Sequence, residues 1–149
     1  MNNKALFPRT EVAGHSLSRM IIGTNWMLGW SHRTPSADQH IKMRFPTPES
    51  AYPMIKAFLD NGVDTIMGLA QNDSILAEAV RYAQDKSGKK MILIDTPIIN
   101  VDDNEQARRE AQAVIRGSKK NGATFCFLHH SSAEQLVNKK KRELTRLAD

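Results

Sequence analysis

The chain has 149 residues, of which 40% are hydrophobic and 25% charged, and its formal net charge is +5. These fractions exclude wholesale disorder, and the length predicts a single domain over residues 1–149. One cysteine, Cys126, excludes an internal disulfide and a multi-cysteine metal site. No apolar run approaches the ~20 residues that span a bilayer, and no signal peptide is expected. We therefore expect a cytoplasmic protein with no membrane partner.

Four short segments rich in apolar and β-branched residues predict four strands. They lie near residues 19–25, 63–67, 90–96 and 123–129. A long connection, residues 26–47, follows the first strand. It exceeds the usual length of a strand-to-helix loop, so it suggests a lid or a binding loop.

Helix signals follow each predicted strand. Thr47 is the expected N-cap of the first helix, which closes at Gly62, a residue that tolerates a left-handed conformation. The expected capping residues of the next three helices are Asp73, Asp102 and Ser131.

Positive charge is concentrated in the last of these helices. Residues 139–146 carry five positive charges and one negative charge, a net +4, and the rest of the chain is close to neutral. Leu136, Val137, Leu144 and Leu147 lie at helical spacing around the run, which predicts the polar face of an amphipathic helix. A contact with nucleic-acid phosphates is the alternative. No zinc-finger spacing or aromatic RNA-binding motif accompanies the run, so nucleic acid is not expected as the partner.

Strands that alternate with helices predict an α/β fold in which parallel strands are joined by right-handed crossovers. Two architectures meet this description, a doubly wound open sheet and part of a (β/α)8 barrel. No Gly-x-Gly-x-x-Gly fingerprint follows the first strand, and no phosphate-binding P-loop is present.

Ligands bind at the carboxyl ends of parallel strands in both architectures, so we looked for polar side chains at those ends. Asp64, Asp95 and His129 are the candidate catalytic residues, and they would converge at one pocket mouth if the sheet curls. Their oxygen and nitrogen atoms could also hold a metal, although no motif fixes such a geometry and no metal is assigned. The alternative is structural: each side chain would then serve a turn or a strand end.

The candidate binding residues follow the first and fourth strands. Trp26 and Trp30 could stack on a flat ligand, although packing within the loop is the alternative. The other candidate binding residues are Asn25, His32 and His130. Since His129 and His130 are adjacent, a strand would point them to opposite sides, and at most one would enter a pocket.

Three segments resemble the aldo-keto reductase family. Residues 17–24 resemble its first-strand segment, which ends in Gly-Thr, and residues 62–65 (Gly-Val-Asp-Thr) resemble its slightly longer Gly-(Ile/Val)-x-x-(Phe/Leu)-Asp-Thr-Ala-x-x-Tyr-Gly stretch. Residues 125–130 resemble its fourth-strand segment, which ends in the substrate-pocket histidine. The resemblance covers residues 17 to about 130 and implies the first four units of a (β/α)8 barrel, whose full length is typically about 250 residues. We therefore expect a half barrel, either a fragment or a chain whose open edges are covered by a second half barrel or a homo-oligomer.

The resemblance also implies which reductase residues are present. It puts Asp64 at the family's catalytic aspartate and His129 at the pocket histidine, but Leu69 at the tyrosine and Pro97 at the lysine. Leucine cannot donate a proton, and proline carries no charge that would lower a tyrosine pKa. The family's nicotinamide phosphate site lies in later strands, so the cofactor is left unassigned and NADP is implied by resemblance alone.

Several functions fit these observations. The first is a divergent reductase-like TIM barrel that binds or acts on a small polar metabolite without standard NADPH-dependent chemistry. The second is a genuine NAD(P)-linked oxidoreductase with an altered tetrad. The others are a non-catalytic interaction module, supported by the basic segment, and a metal-assisted lyase or isomerase.

Overall fold

The computed structural model describes residues 6–71 and 74–145. The strands are β1 (Arg9–Val12), β2 (His15–Ser18), β3 (Ile21–Gly23), β4 (Thr65–Gly68), β5 (Ile92–Asp95), β6 (Phe125–Cys126), β7 (Val137–Asn138) and β8 (Glu143–Leu144). The helices are α1 (Asn25–Leu28), α2 (Pro35–Arg44), α3 (Pro48–Leu59), α4 (Leu76–Ser87), α5 (Glu105–Lys120) and α6 (His130–Ala133), and a 3₁₀ helix spans Glu134–Leu136.

The centre of the molecule is a four-stranded parallel sheet in the order β3-β4-β5-β6. This confirms the α/β class and the parallel strands. The order follows the chain without a reversal among the described parallel strands, whereas a doubly wound sheet reverses its order. The register pairs Thr65 with Ile21 on one side and with Ile92 on the other.

The larger apolar cluster lies between this sheet and helices α3 and α4. Ile22, Ile66 and Leu93 come from three neighbouring strands and are buried in it. The helices contribute Ala51, Ile55, Leu59, Leu76, Ala79, Val80 and Ala83. Because side chains alternate along a strand, Ile21 and Ile94 face the other side of the sheet.

Helix α3 begins as its sequence predicts. Thr47 accepts a hydrogen bond from the Ser50 backbone N–H, and the Ser50 hydroxyl group accepts one in return from the Thr47 backbone N–H, which forms a capping box. Gly62 follows the helix with a φ of +78°. This left-handed conformation favours glycine, which has no Cβ.

The N-caps of the next two helices are less well predicted. Asp73 lies outside the described residues. Asn104, and not Asp102, caps α5, because its side chain accepts from the Ala107 N–H at 2.9 Å. Within α5 only Ala107 and Ser118 are buried. No helix in the described ranges is both long and apolar enough to cross a membrane.

The sequence patterns did not predict the antiparallel hairpin of β1 and β2. Its turn consists of Ala13 and Gly14, both with positive φ, as a two-residue hairpin loop requires. Leu17 of β2 packs against Ile92 and Ile94, so the hairpin covers part of the face of the sheet that the helices leave free.

Residues 26–47 were predicted to be a loop, and this is wrong. Helix α1 starts within the first turn after β3, and α2 occupies 10 of the following residues. Thr34 caps α2 by accepting from the Ala37 N–H, and Pro35 stands at its first position. No residue of α2 is buried, so the helix lacks the apolar stripe by which a pattern search would find it.

The predicted basic amphipathic helix is also wrong over the described residues. The chain forms the short helix α6, the 3₁₀ helix and then the β7–β8 hairpin, with the basic residues 139–142 in its turn. Asn138 organises this turn, because its side chain accepts from the Lys141 N–H and its carbonyl group from the Arg142 N–H. Leu144 is exposed on the hairpin, and Leu147 lies outside the described residues.

Candidate functional site

An open cleft of about 850 Å³ lies at the carboxyl ends of the parallel strands. Each strand, or the residue directly after it, contributes to the lining. Its polar side chains are Thr24, Asn25, His32, Thr96, His129 and His130. Its aromatic and apolar side chains include Trp26, Trp30, Met67, Leu69, Phe127 and Leu128. None of the described lining residues is an aspartate or a glutamate.

The first wall of the cleft is built from the end of β3 and the residues that follow it. The Thr24 hydroxyl group donates to the Met67 carbonyl oxygen at 3.2 Å, which ties this wall to β4. The Asn25 side-chain amide donates to His32 Nε2 at 2.8 Å. His32 has a φ of +56°, a conformation that costs free energy in a residue other than glycine. The bond to Asn25 therefore holds the imidazole of His32 at the cleft in spite of an unfavourable backbone.

The two tryptophans of the chain both line the cleft. Trp26 is held in place because its Nε1–H donates to the Gly23 carbonyl oxygen at 2.6 Å and its ring meets Phe45 edge-to-face at 5.0 Å. Trp30 lies further along the same wall and is half-buried. Both indole rings therefore contribute apolar lining to the cleft.

The opposite wall consists of His129 and His130. Strand β6 ends at Cys126, so these residues lie beyond it, and His129 is the N-cap of α6. Their rings are neighbours, with centroids 4.2 Å apart and a tilt of 40°. The prediction that a strand would point them to opposite sides is therefore wrong. Burial, and secondarily the charge of His130, lower the pKa of His129 below its ordinary value.

Asp64 does not reach this cleft. Strand β4 begins at Thr65, so Asp64 lies at the amino end of the sheet, away from the ligand-binding edge predicted for it. There its carboxylate pairs with Arg9 at 2.8 Å and accepts from the Ser18 N–H at 3.3 Å. Asp64 therefore holds the β1–β2 hairpin against the sheet.

Asp95 lies at the carboxyl end of β5 but faces the helices instead of the cleft. It is fully buried, and its carboxylate accepts from the Ala70 N–H at 2.8 Å and from the Ser118 hydroxyl group at 2.5 Å. The next residue, Thr96, lines the cleft in its place. The expected convergence of Asp64, Asp95 and His129 at one pocket mouth is therefore wrong.

The positions of Asp64 and Asp95 also argue against a metal site formed with His129. With Asp64 at one end of the sheet and Asp95 beneath α5, the proposed set of metal ligands does not assemble. Over residues 6–71 and 74–145, no group of three or more histidine, cysteine or acidic side chains is placed to hold a metal ion.

Met67 and Phe127 also line the cleft, and the sequence patterns did not identify them. Met67 is the last but one residue of β4, on the face opposite the helices, and Phe127 directly follows β6. The alternation of side chains along each strand would have identified both, had the strand ends been known. The residues that the structure does bring together are Asn25, Trp26, Trp30, His32, His129 and His130.

Comparisons of the chain with protein-family models, with curated proteins and with solved structures found no match.

Proposed function

We propose that the protein binds a small molecule in the cleft at the carboxyl end of its parallel sheet. The observation that carries the proposal is the composition of one cleft, in which two indole rings stand on one wall and two imidazole rings on the other. Ligand sites typically combine an apolar lining with a few well-placed polar groups, and parallel sheets present them at this edge.

The lining suggests the class of ligand. Trp26 and Trp30 offer a surface for a flat apolar ring, while the imidazole groups of His32, His129 and His130 can donate hydrogen bonds to an acceptor. No carboxylate among the described lining residues would repel an anionic group. A small aromatic molecule with a carboxylate or a similar acceptor fits these features.

The same residues argue against the reductase chemistry that the resemblance to aldo-keto reductases implies. Leu69, at the tyrosine position, lines the cleft and has no proton to donate, and Pro97, at the lysine position, is buried and uncharged. Of the titratable residues that the resemblance assigns to catalytic or pocket positions, His129 is the one that lines the cleft. The residues present therefore do not fit a tyrosine–lysine reductase, and we propose ligand binding without that reaction.

Tryptophan fluorescence tests the proposal directly, because Trp26 and Trp30 are the only tryptophans in the chain and both lie at the cleft. Benzoate and related aromatic carboxylates serve as probes. We expect saturable quenching that weakens about tenfold in His130→Ala, as for the loss of a hydrogen bond to a charged group. His40→Ala, in the exposed helix α2, is the matched control and should bind as the original chain does.

Two results would contradict the proposal. Equal affinity in the original chain, in His130→Ala and in Trp30→Ala would place the binding site elsewhere. Oxidation of NADPH in the presence of an aromatic aldehyde would instead support the alternative, an oxidoreductase with an altered tetrad.

A second proposal concerns assembly. The edge strands β3 and β6 each pair on one side within the described sheet, and the face opposite the helices exposes Ile21, Met67 and Phe127, the last by 55%. Unpaired strand edges and exposed apolar side chains favour association. A second copy of the chain, or another half barrel, placed against both edges would continue the parallel sheet and cover this face.

Light scattering coupled to size exclusion tests this assembly. We expect a dimer, and we expect Phe127→Ser to shift it toward the monomer. Ile115→Ser removes a similarly exposed side chain (47%) on α5, outside the proposed interface, and should leave the dimer intact. A monomeric original chain, or equal effects of the two substitutions, would contradict the proposal.

A further inference from the structure

His129 connects the cleft wall to helix α6 through its own ring. The Nδ1 atom of its imidazole accepts from the Ser131 backbone N–H at 3.2 Å and lies 2.7 Å from the Ser131 hydroxyl group. An acceptor at the N-cap satisfies a backbone N–H that the helix itself leaves without a partner. Nδ1 must therefore be unprotonated for the cap to form.

Helix α6 is in turn attached to the segment that follows β5. The hydroxyl group of Ser132 is buried, donates to the Ile99 carbonyl oxygen at 3.1 Å and accepts from the Ile99 N–H at 3.0 Å. The His129 backbone N–H donates to the Pro97 carbonyl oxygen at 3.0 Å. The cap and these bonds together set the position of the cleft wall.

Few described charged groups face the two histidines. His130 stands beside His129, and Glu134, one turn further, interacts with His130 but is already paired with Lys139 at 2.9 Å. His32 is the other titratable residue of the described cleft lining. The segment 97–99 contributes proline and isoleucine side chains, which do not titrate.

We propose that His129 is an acid-sensitive switch, in which protonation of its ring removes the cap of α6 and moves this wall of the cleft. A protonated Nδ1 can no longer accept from Ser131, and it presents a positive charge to the N–H groups at the start of a helix. The switch is independent of the ligand-binding proposal, because it concerns the free protein.

The direction of the His129 pKa agrees with this geometry. Burial and the neighbouring His130 hold the pKa of His129 below its ordinary value of 6.5, so the folded chain favours the neutral ring. A lowered pKa means that the stabilisation is fully present above about pH 6.5 and is lost as the pH falls through the folded-state pKa.

Amide hydrogen exchange of the free protein tests the switch. We compare protection factors of the Ser131, Ser132 and Ala133 amides at pH 5 and pH 7.5, after correction for the intrinsic pH dependence of exchange. We expect protection to fall about fivefold at pH 5, as for the loss of a helix cap. Amides in α3 should change little between the two values.

Two variants separate titration from structure. His129→Asn keeps a side chain that can cap a helix but does not titrate, so its protection should be the same at both pH values. His129→Ala should show low protection at both. Equal protection of the original chain at pH 5 and pH 7.5, or the same pH dependence in His129→Asn, would overturn the proposal.

Discussion

Asp95 is a buried carboxylate that joins three separate parts of the chain. It lies on β5 and accepts hydrogen bonds from Ala70, after β4, and from Ser118, on α5. When a buried hydrogen-bond donor or acceptor is left without a partner, the loss of stability is larger than the net contribution of the hydrogen bond itself. Asp95 therefore helps to fasten α5 to the sheet.

Replacing Asp95 tests this role. We expect Asp95→Ala to lower the free energy of unfolding by about 2–4 kcal/mol. The buried Ala70 N–H loses its acceptor, the Ser118 hydroxyl group keeps only a long contact of 3.5 Å with the Val114 carbonyl oxygen, and a small cavity opens. Asp95→Asn keeps an acceptor for Ala70 and should cost less. Urea denaturation measures both, and an alanine variant as stable as the asparagine variant would contradict this account.

Gly68 is required by a close approach between neighbouring strands. A Cβ at this position would overlap the side chain of Thr24, which donates to the Met67 carbonyl oxygen. We expect Gly68→Ala to force β3 and β4 apart and to destabilise the protein by about 1–3 kcal/mol. Gly23→Ala, where a Cβ would meet no atom within 4 Å, is the control and should change the thermal midpoint little.

The sequence indicated which residue types follow the strands but not where each strand begins. Asn25, Trp26 and His129 were predicted at one edge of the sheet, and the structure brings them to one cleft. Asp64 was misplaced because β4 begins at Thr65, and Asp95 because its position on β5 turns it toward the helices. If the strand is placed one residue too early or too late, each of its side chains is assigned to the wrong face of the sheet. A strand that is buried on both faces is apolar throughout, so its sequence does not show which residues belong to which face.

At the scale of elements, the β1–β2 hairpin is attached to the sheet through Ser18. Its hydroxyl group accepts from the Asp64 and Thr65 N–H groups at 3.2 and 3.1 Å and donates to the Met20 carbonyl oxygen at 2.7 Å. Ser18 is buried, so water cannot replace these bonds. The Ser18 hydroxyl group therefore adds to the Arg9–Asp64 ion pair and the Leu17 contacts that hold the hairpin to the sheet.

We expect Ser18→Ala to lower the free energy of unfolding by about 1–3 kcal/mol, since two buried backbone donors lose their acceptor. Ser16→Ala, on the same strand but exposed, should change it by less than about 0.5 kcal/mol. Chemical denaturation of the two variants makes the comparison. Equal effects would mean that the hairpin is held by other contacts.

Two helices of the chain begin with the same dipeptide, and only one was predicted. Thr34-Pro35 opens α2 and Thr47-Pro48 opens α3, each with a threonine cap and a proline at the first position. The second signal is followed by an apolar stripe and the first is not. A capping signal alone does not predict a helix, because the same residues also open turns.

At the scale of the whole molecule, the helices cover the sheet unevenly. Helices α3 and α4 bury 3 and 5 side chains, respectively. Helix α5 is longer, with 16 residues, but buries Ala107 and Ser118 alone and leaves Ile115 exposed. A helix that buries little apolar surface unfolds locally at a lower free-energy cost than one that buries more.

We therefore expect faster amide exchange in the middle of α5 than in α3 or α4 under native conditions. Hydrogen exchange followed by mass spectrometry resolves the three helices. In Asp95→Ala the difference in exchange rate should grow, because α5 loses the bond from Ser118 to the sheet residue Asp95. Uniform protection across the three helices would show that the molecule opens as a single unit.

The alternation of strands and helices predicted the parallel sheet, but the order of its strands came from the structure. A right-handed crossover can place the next strand on either side of the sheet, depending on which face its helix covers. Ile22, Ile66 and Leu93 meet α3 and α4 in one cluster, so the crossovers advance in one direction. Local patterns contain no information on that choice.

Because the parallel strands are ordered as they occur in the chain, the sheet can begin to fold while the protein is being synthesised. All buried members of the larger apolar cluster lie between Ile22 and Leu93. Within the described residues, β4, β5 and β6 each pair with the parallel strand synthesised just before them. Domains fold as the ribosome releases them, and contacts between nearby segments form fastest. The first three parallel strands and their two helices can therefore assemble during translation and serve as the platform onto which α5 and β6 are added.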